Sequence, residues 1–289
     1  MARSISIVLG NHPHTELIRS RTELASVGVS LPSISPVHSA FHDMVRERRY
    51  DVCEMALATY LQAREAGKPL LLLPVVMVGG FHHGNIRRSP GGRAWEPPDL
   101  VGKCVGVRAY STTMGMWARS VLDEEFGVDA GDVTWVTTED PHVAEYAEPG
   151  NVVRTAGDLK QELLDGDLAA AVLNGQENPD LEPVVPDPVG AALRWYARHE
   201  TVPVNHMVVV TRSLMEQAPE VVAAVYEDLT AGIDKAELPP ADGSGGQVPS
   251  PVRYGRDAVR TAVELAGRAA LRQRLISRPV GDVDDLFAL

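Results

Sequence analysis

The chain is 289 residues long, with 44% apolar and 23% charged residues and a formal net charge of −12. That length can bury a large core and suits two lobes or one large α/β domain. The acidic balance argues against nucleic acid or an anionic membrane as the main partner, so local basic residues must do any anion binding. Cys53 and Cys104 both lie in apolar runs, which speaks against a disulfide framework. No apolar run reaches membrane-spanning length, and MARSISIVLG shows no leader pattern, so the expected compartment is the cytoplasm.

Ile5 to Gly10 reads as a first buried strand, followed by Asn11, His12, Pro13 and His14 at a strand end where open α/β folds place ligand groups. His12 and His14 are candidates for ligand contact or acid/base work, against the plainer reading of a solvated loop. Thr15 to Ser26 is predicted as a helix, Val29 to Ile34 as a strand and Pro36 to Arg49 as a helix burying Phe41, Met44 and Val45. Asp51 to Cys53 is predicted as a short strand, with Glu54 opening the next helix. There it can accept a ligand proton or simply complement the helix dipole. Leu70 to Val78 is a buried strand that runs into Gly79-Gly80-Phe81-His82-His83-Gly84, then Arg87 and Arg88. An adjacent histidine pair points two ways in a strand, so one at most faces a pocket; Arg87 can hold an acidic ligand.

Ser89 to Asp99 is rich in proline and glycine and is expected at a lobe boundary. Gly102 to Arg119 then gives the clearest local pattern. A strand over Cys104 to Val107 feeds the turn Arg108, Ala109, Tyr110, Ser111, Thr112 and Thr113, and a helix opens near Met114. Free amides at that helix start, with Arg108 as a bidentate clamp, suit a carboxylate; an ordinary capped helix is the plainer alternative. Val133 to Val136 is a further strand, Asp140 to Val153 irregular and Asp158 to Leu164 a helix. Leu168 to Leu173 is a strand whose end presents Asn174. Asp187 to Arg198 is a helix, and Thr201 to Val210 a buried strand containing His206, which is either a core histidine or a pocket residue. Pro219 to Lys235 and Tyr254 to Leu275 are helices joined by a flexible linker over Pro239 to Pro251. No dinucleotide fingerprint, phosphate loop, G-x-S-x-G or zinc-spaced cysteine set is present.

Alternating strands and helices favour a mainly parallel α/β fold. The expected division is discontinuous: residues 1–99 with 207–289 in one lobe, 100–206 in the other, and crossings near Asp99 and His206. That is the plan of a type II periplasmic binding protein, with the ligand in the interlobe cleft.

The segments DVCEMALATYL, PVVMVGGFHHGNI, DLVGKCVGVRAYSTTMGMWARSVLDEEFGV and VPVNHMVVVTRSLMEQAPEVVAAVYE resemble the 4,5-dihydroxyphthalate decarboxylase family, in order, from about residue 50 to 235. The resemblance implies a binding-protein fold reused for loss of carbon dioxide from a hydroxylated aromatic acid. It marks Glu54, His83, the Arg108–Thr113 turn with Trp117, and His206 as site residues. His83 and His206 become the acid/base candidates, with Glu54 orienting one of them or accepting a hydroxyl proton. Two stretches depart from the family pattern, NHPHTELI and a shortened Asp140–Arg154 region, which leaves room for a different substrate. No cofactor is called for; a divalent metal on His12, His14, Glu54 or His83 stays open. The expected partner is a small carboxylic acid, and homo-oligomerisation is left open. The alternatives are a solute receptor for such an acid and another lyase or synthase on the same scaffold.

Overall fold

A computed structural model describes residues 4–21 and 28–289, and it shows two sheets joined by two chain crossings. Among the described residues the first sheet has the order β2-β1-β3-β11-β4, from β1 (Ile5–Val8), β2 (Val29–Ser30), β3 (Val52–Ala56), β4 (Leu70–Gly79) and β11 (Val204–Thr211). β1 runs parallel to β2 and β3, while β11 is antiparallel to both β3 and β4. Pro74 breaks no internal ladder because β4 is an edge strand, and its outer side meets the 253–255 segment.

The second sheet has the order β10-β5-β9-β6-β7-β8. β6 (Cys104–Val107), β7 (Thr134–Thr137), β8 (Val152–Arg154) and β9 (Ala170–Val172) are parallel, and β5 (Ile86–Arg88) and β10 (Glu182–Pro183) close one edge antiparallel. The two-lobed α/β plan is therefore as the sequence indicated. The sheets exchange the chain elsewhere, however: after Gly79 and just before Val204, instead of at Asp99 and His206. The Pro/Gly-rich stretch after Ser89 is a loop within the second lobe, and His206 lies inside β11, a strand of the first.

Helices α1 (Glu16–Arg19), α2 (Ser39–Glu47), α3 (Leu57–Glu65), α7 (Arg212–Gln217), α8 (Pro219–Lys235) and α9 (Arg256–Arg272) accompany the first sheet. α4 (Thr113–Phe126), α5 (Leu159–Asp165) and α6 (Pro188–His199) accompany the second. The helix expected over Thr15 to Ser26 is described only as far as Arg21; its part over 22–26 lies outside the described residues. Glu54 does not open a helix, because β3 continues to Ala56 and α3 begins at Leu57.

α3 is buried on nearly every face and sits between the lobes. Its Ala58 amide donates to Thr113 Oγ1 at the start of α4, at 3.1 Å. Two helix N-termini, one from each lobe, thus meet across the junction. Trp117 on α4 donates its indole N–H to the Val204 carbonyl at 3.0 Å and ties the second lobe to β11. Both cysteines are free thiols. Among the described residues no helix is long and apolar enough to cross a membrane.

Candidate functional site

Strand register brings the central groups together. On β11, Val208 lies opposite Glu54 and His206 opposite Ala56, so His206 is the diagonal neighbour of Glu54 on one face. Its Nδ1 lies 2.8 Å from Glu54 Oε1. From the other side β1 ends at Val8, and the loop after it places the Gly10 amide 2.9 Å and His12 Nε2 3.0 Å from Glu54 Oε2. Gly10 is required there: a β-carbon would lie 2.4 Å from His12 Nε2 and 2.8 Å from Glu54 Oε2.

The loop itself is held from below. The Thr15 hydroxyl accepts from the His12 amide at 3.0 Å and reaches the Gly10 carbonyl at 2.8 Å. Gly232 on α8 lets that helix approach the His14 carbonyl, which a β-carbon would meet at 2.2 Å. His14 stacks flat on His12, with ring centroids 5.0 Å apart.

Glu54 is fully buried, and both histidines beside it are 23% exposed. Burial alone would raise the Glu54 carboxyl, but the hydrogen bonds and charges of His12 and His206 outweigh it and hold the group well below the usual carboxylate range. An ionised carboxylate accepts only, so it fixes the proton of His206 on Nδ1 and that of His12 on Nε2. The other nitrogen of each ring is left for a ligand. His14 is driven down to about 4 by burial, then by His12, and stays neutral.

Further groups surround this cluster. Phe41 on α2 stands edge-on to His206 (5.2 Å) and to His142 (5.8 Å) from the second lobe. His142 Nδ1 lies 3.0 Å from Thr59 Oγ1, and burial followed by Arg108 lowers it to about 4. His38, at the start of α2, is lowered by burial, then by Arg108. Arg108 itself spends one nitrogen on Glu139 at 2.6 Å and remains 39% exposed. Phe41 was legible in the sequence as a buried-face residue only; His38 and His142 carry no local signal of a site.

The α4 start is built as expected but partly used. Thr112 caps it by accepting from the Gly115 amide at 3.2 Å, Thr113 serves Ala58, and Ser111 is buried beside them. The Thr113 and Met114 amides have no intrahelical acceptor. Beneath the turn lies Arg119, 1% exposed, with Nη2 on the Tyr110 carbonyl and Nε on Gln273 Oε1, each at 2.7 Å. A buried guanidinium here adds positive potential to the turn.

Several expected site residues are placed elsewhere. His83 is 1% exposed with Nε2 on Glu125 of α4 at 3.2 Å, and it bonds none of the residues of the Glu54 cluster. Tyr110 is buried under Arg119 and donates to the Gln273 carbonyl. Trp117 is spent on the Val204 carbonyl, and Arg87 on the carbonyls of Gly84, Asn178 and Leu181. Asn174 orders its own turn by accepting from the Gln176 amide. Each thus spends at least one polar atom on a backbone group or a buried partner, while His83 Nδ1 and Arg87 Nε are buried without one among the described residues. Among the described residues, no group of three His, Cys, Asp or Glu side chains is arranged to hold a metal ion; His12 and His206 instead face the two oxygens of Glu54.

No protein-family model matches the chain. Two curated relatives do. The chain is 28% identical to a 4,5-dihydroxyphthalate decarboxylase of Comamonas testosteroni, over 91% of this chain and 84% of that one. It is 29% identical to a 4,5-dihydroxyphthalate decarboxylase of Pseudomonas putida, over 67% and 81%. The fold resembles that of a sulfonate-binding protein SsuA from Methylobacillus flagellatus KT (TM-score 0.59, 12% identity, 99% of this chain and 90% of that one). It also resembles the alkanesulfonate-binding protein SsuA from Xanthomonas axonopodis pv. citri (TM-score 0.57, 14% identity, 96% of each). A desulfurization enzyme has the same fold (TM-score 0.54, 16% identity, 98% and 96%). The family resemblance and the binding-protein fold read from the sequence are both borne out.

Proposed function

We propose that this chain, a relative of the 4,5-dihydroxyphthalate decarboxylases, is a carboxy-lyase that removes carbon dioxide from a hydroxylated aromatic acid held between the lobes. The observation that carries this reading is the buried Glu54 carboxylate bonded to two partly exposed imidazoles, His12 and His206.

Loss of carbon dioxide from a ring requires a proton on the carbon that bears the carboxylate. In this reading His206, with Nδ1 anchored on Glu54, delivers that proton from Nε2 to the ring carbon. The electron pair of the breaking carbon–carboxylate bond restores the aromatic ring, carbon dioxide leaves, and solvent reprotonates the imidazole. Histidine suits the task because it exchanges protons near neutral pH. Glu54 stabilises the imidazolium and holds its orientation, as a buried carboxylate does for a catalytic histidine generally. His12 is the second imidazole in reach and is suited to a ring hydroxyl. Arg108 and the Thr113 and Met114 amides hold carboxylate charge. Phe41 supplies an apolar edge for a ring.

A panel of hydroxylated and plain aromatic acids, screened by thermal shift and then by mass spectrometry of every hit, tests the reading. Recovery of a hit lighter by one carbon dioxide supports it, with or without a chelator in the buffer. Stabilising acids that all return unchanged, including after addition of divalent metal, would replace it with a solute-binding role on the same fold.

A further inference from the structure

A cavity of about 580 Å³ lies at the junction of α3, the segment after α9 and the 143–147 stretch of the second lobe. None of its lining residues belongs to the Glu54 cluster. Three polar groups at its wall lack partners among the described residues. Gln62 is 3% exposed, and neither its amide nitrogen nor its amide oxygen is bonded. The Tyr146 hydroxyl is buried and unbonded as well. Arg274, on left-handed backbone at φ 58°, offers a guanidinium with no acceptor.

Buried polar groups are almost always hydrogen-bonded, and leaving an amide unmet is costly. Two buried unmet groups, Gln62 and Tyr146, beside the exposed and unpaired Arg274 therefore point to something that meets them. The acidic residues of the wall are already engaged: Glu65 accepts from the Ser277 amide and hydroxyl and from the Arg278 amide, and Glu145 pairs with Lys68 at 2.5 Å. The charge left over is positive. Val143, Leu275 and Ile276 make the rest of the wall apolar.

We propose that this cavity is a second small-molecule site, which takes a small organic acid with an apolar body. Its carboxylate lies on Arg274, its body lies against Val143, Leu275 and Ile276, and its polar edge reaches Gln62 and Tyr146. The walls come from both lobes, so the ligand touches both.

Crystals soaked in 4-bromobenzoate locate the site through bromine anomalous scattering, and calorimetric titration with benzoate measures it. The expected result is a bromine peak among the three apolar residues. Arg274→Met should weaken benzoate at this site at least tenfold, and neutral benzamide should bind there at least tenfold more weakly than benzoate. Gln62→Leu removes an unmet buried amide, so it should fold with an equal or higher melting temperature and still lose affinity. No bromine in the cavity, or unchanged benzoate affinity in both variants, overturns the proposal. Bromine in the interlobe cleft alone does so while leaving the decarboxylase reading standing. A cavity peak in a protein that decarboxylates none of the acids tried upholds this site and defeats only that reading.

Discussion

Glu54 and His206 are 152 residues apart in sequence and 2.8 Å apart in space, joined across the β3–β11 ladder of the first sheet. Glu54 takes every donor that its position offers: the Gly10 amide, His12 and His206. One buried carboxylate thereby sets the protonated nitrogen of two imidazoles.

The first prediction concerns that carboxylate. Glu54→Gln keeps the shape but lets the amide nitrogen oppose one of the two imidazole N–H donors. Turnover should fall roughly 10²–10⁴-fold, the usual contribution of positioned acid/base catalysis. His206→Ala should fall by a similar factor, and the double variant by little more, since the two act as one unit. Turnover numbers on the substrate found in the screen check this; additive losses would show that the pair does not work together.

Gly10→Ala tests the close approach. Its β-carbon would displace His12 or Glu54, so kcat should drop by at least tenfold, an effect that needs about 1.4 kcal/mol. The melting temperature checks that the chain still folds, and an unperturbed kcat would rule out a role for the His12 arm.

His83 and Trp117 should behave as structural residues. His83→Ala leaves Glu125 without its imidazole partner, and Trp117→Phe leaves the Val204 carbonyl without its donor. Each should lower stability by about 1–3 kcal/mol. In the folded fraction, kcat and KM should stay within a few-fold of the parent. A selective loss of kcat in His83→Ala would return that residue to the catalytic set.

Acid should destabilise the fold in a defined window. Burial drives His14, His82 and His142 each from 6.5 down to about 4, so they are neutral when folded and take up protons more readily when unfolded. Their contribution to stability is complete above pH 6.5 and is lost as pH falls toward 4. Glu54 adds to the loss further down, below the ordinary carboxyl value of 4.5, because its folded carboxyl is depressed. Denaturant melts between pH 4 and 8 should show stability falling below about pH 6.5. Flat stability across that range would contradict the buried neutral imidazoles.

The strand–turn–helix unit over Gly102 to Arg119 was legible because its signals are local. A β-branched run, hydroxyl caps and helical spacing all fall within eighteen residues. Glu54 was recognised as a site residue but not as a strand residue: VCEMA is buried on both faces, so no alternation separates a strand from a helix start. The two crossings were expected, but near Asp99 and His206 and not after Gly79 and before Val204, because β5 and β10 have three and two residues, too short to show a period. Five histidines looked alike as loop or strand-end candidates. His12 lies 42 residues from Glu54 and His206 152 from it, while His83 lies 42 residues from Glu125, so the shared carboxylate and not the sequence separation sets His12 and His206 apart. The family resemblance supplied Glu54 and His206 together, which composition and spacing did not.

The most direct test of the account uses 4,5-dihydroxyphthalate carrying ¹³C in its carboxyl groups, with the parent chain and His206→Ala compared at equal folded concentration. The parent should release ¹³CO₂ and incorporate one solvent deuteron on the ring in D₂O, and the variant should lose roughly 10²-fold or more of that release. Release at the same rate from His206→Ala would contradict the assignment of the proton donor. If the parent released no ¹³CO₂ from this or any other hydroxylated aromatic acid, the central claim would fall.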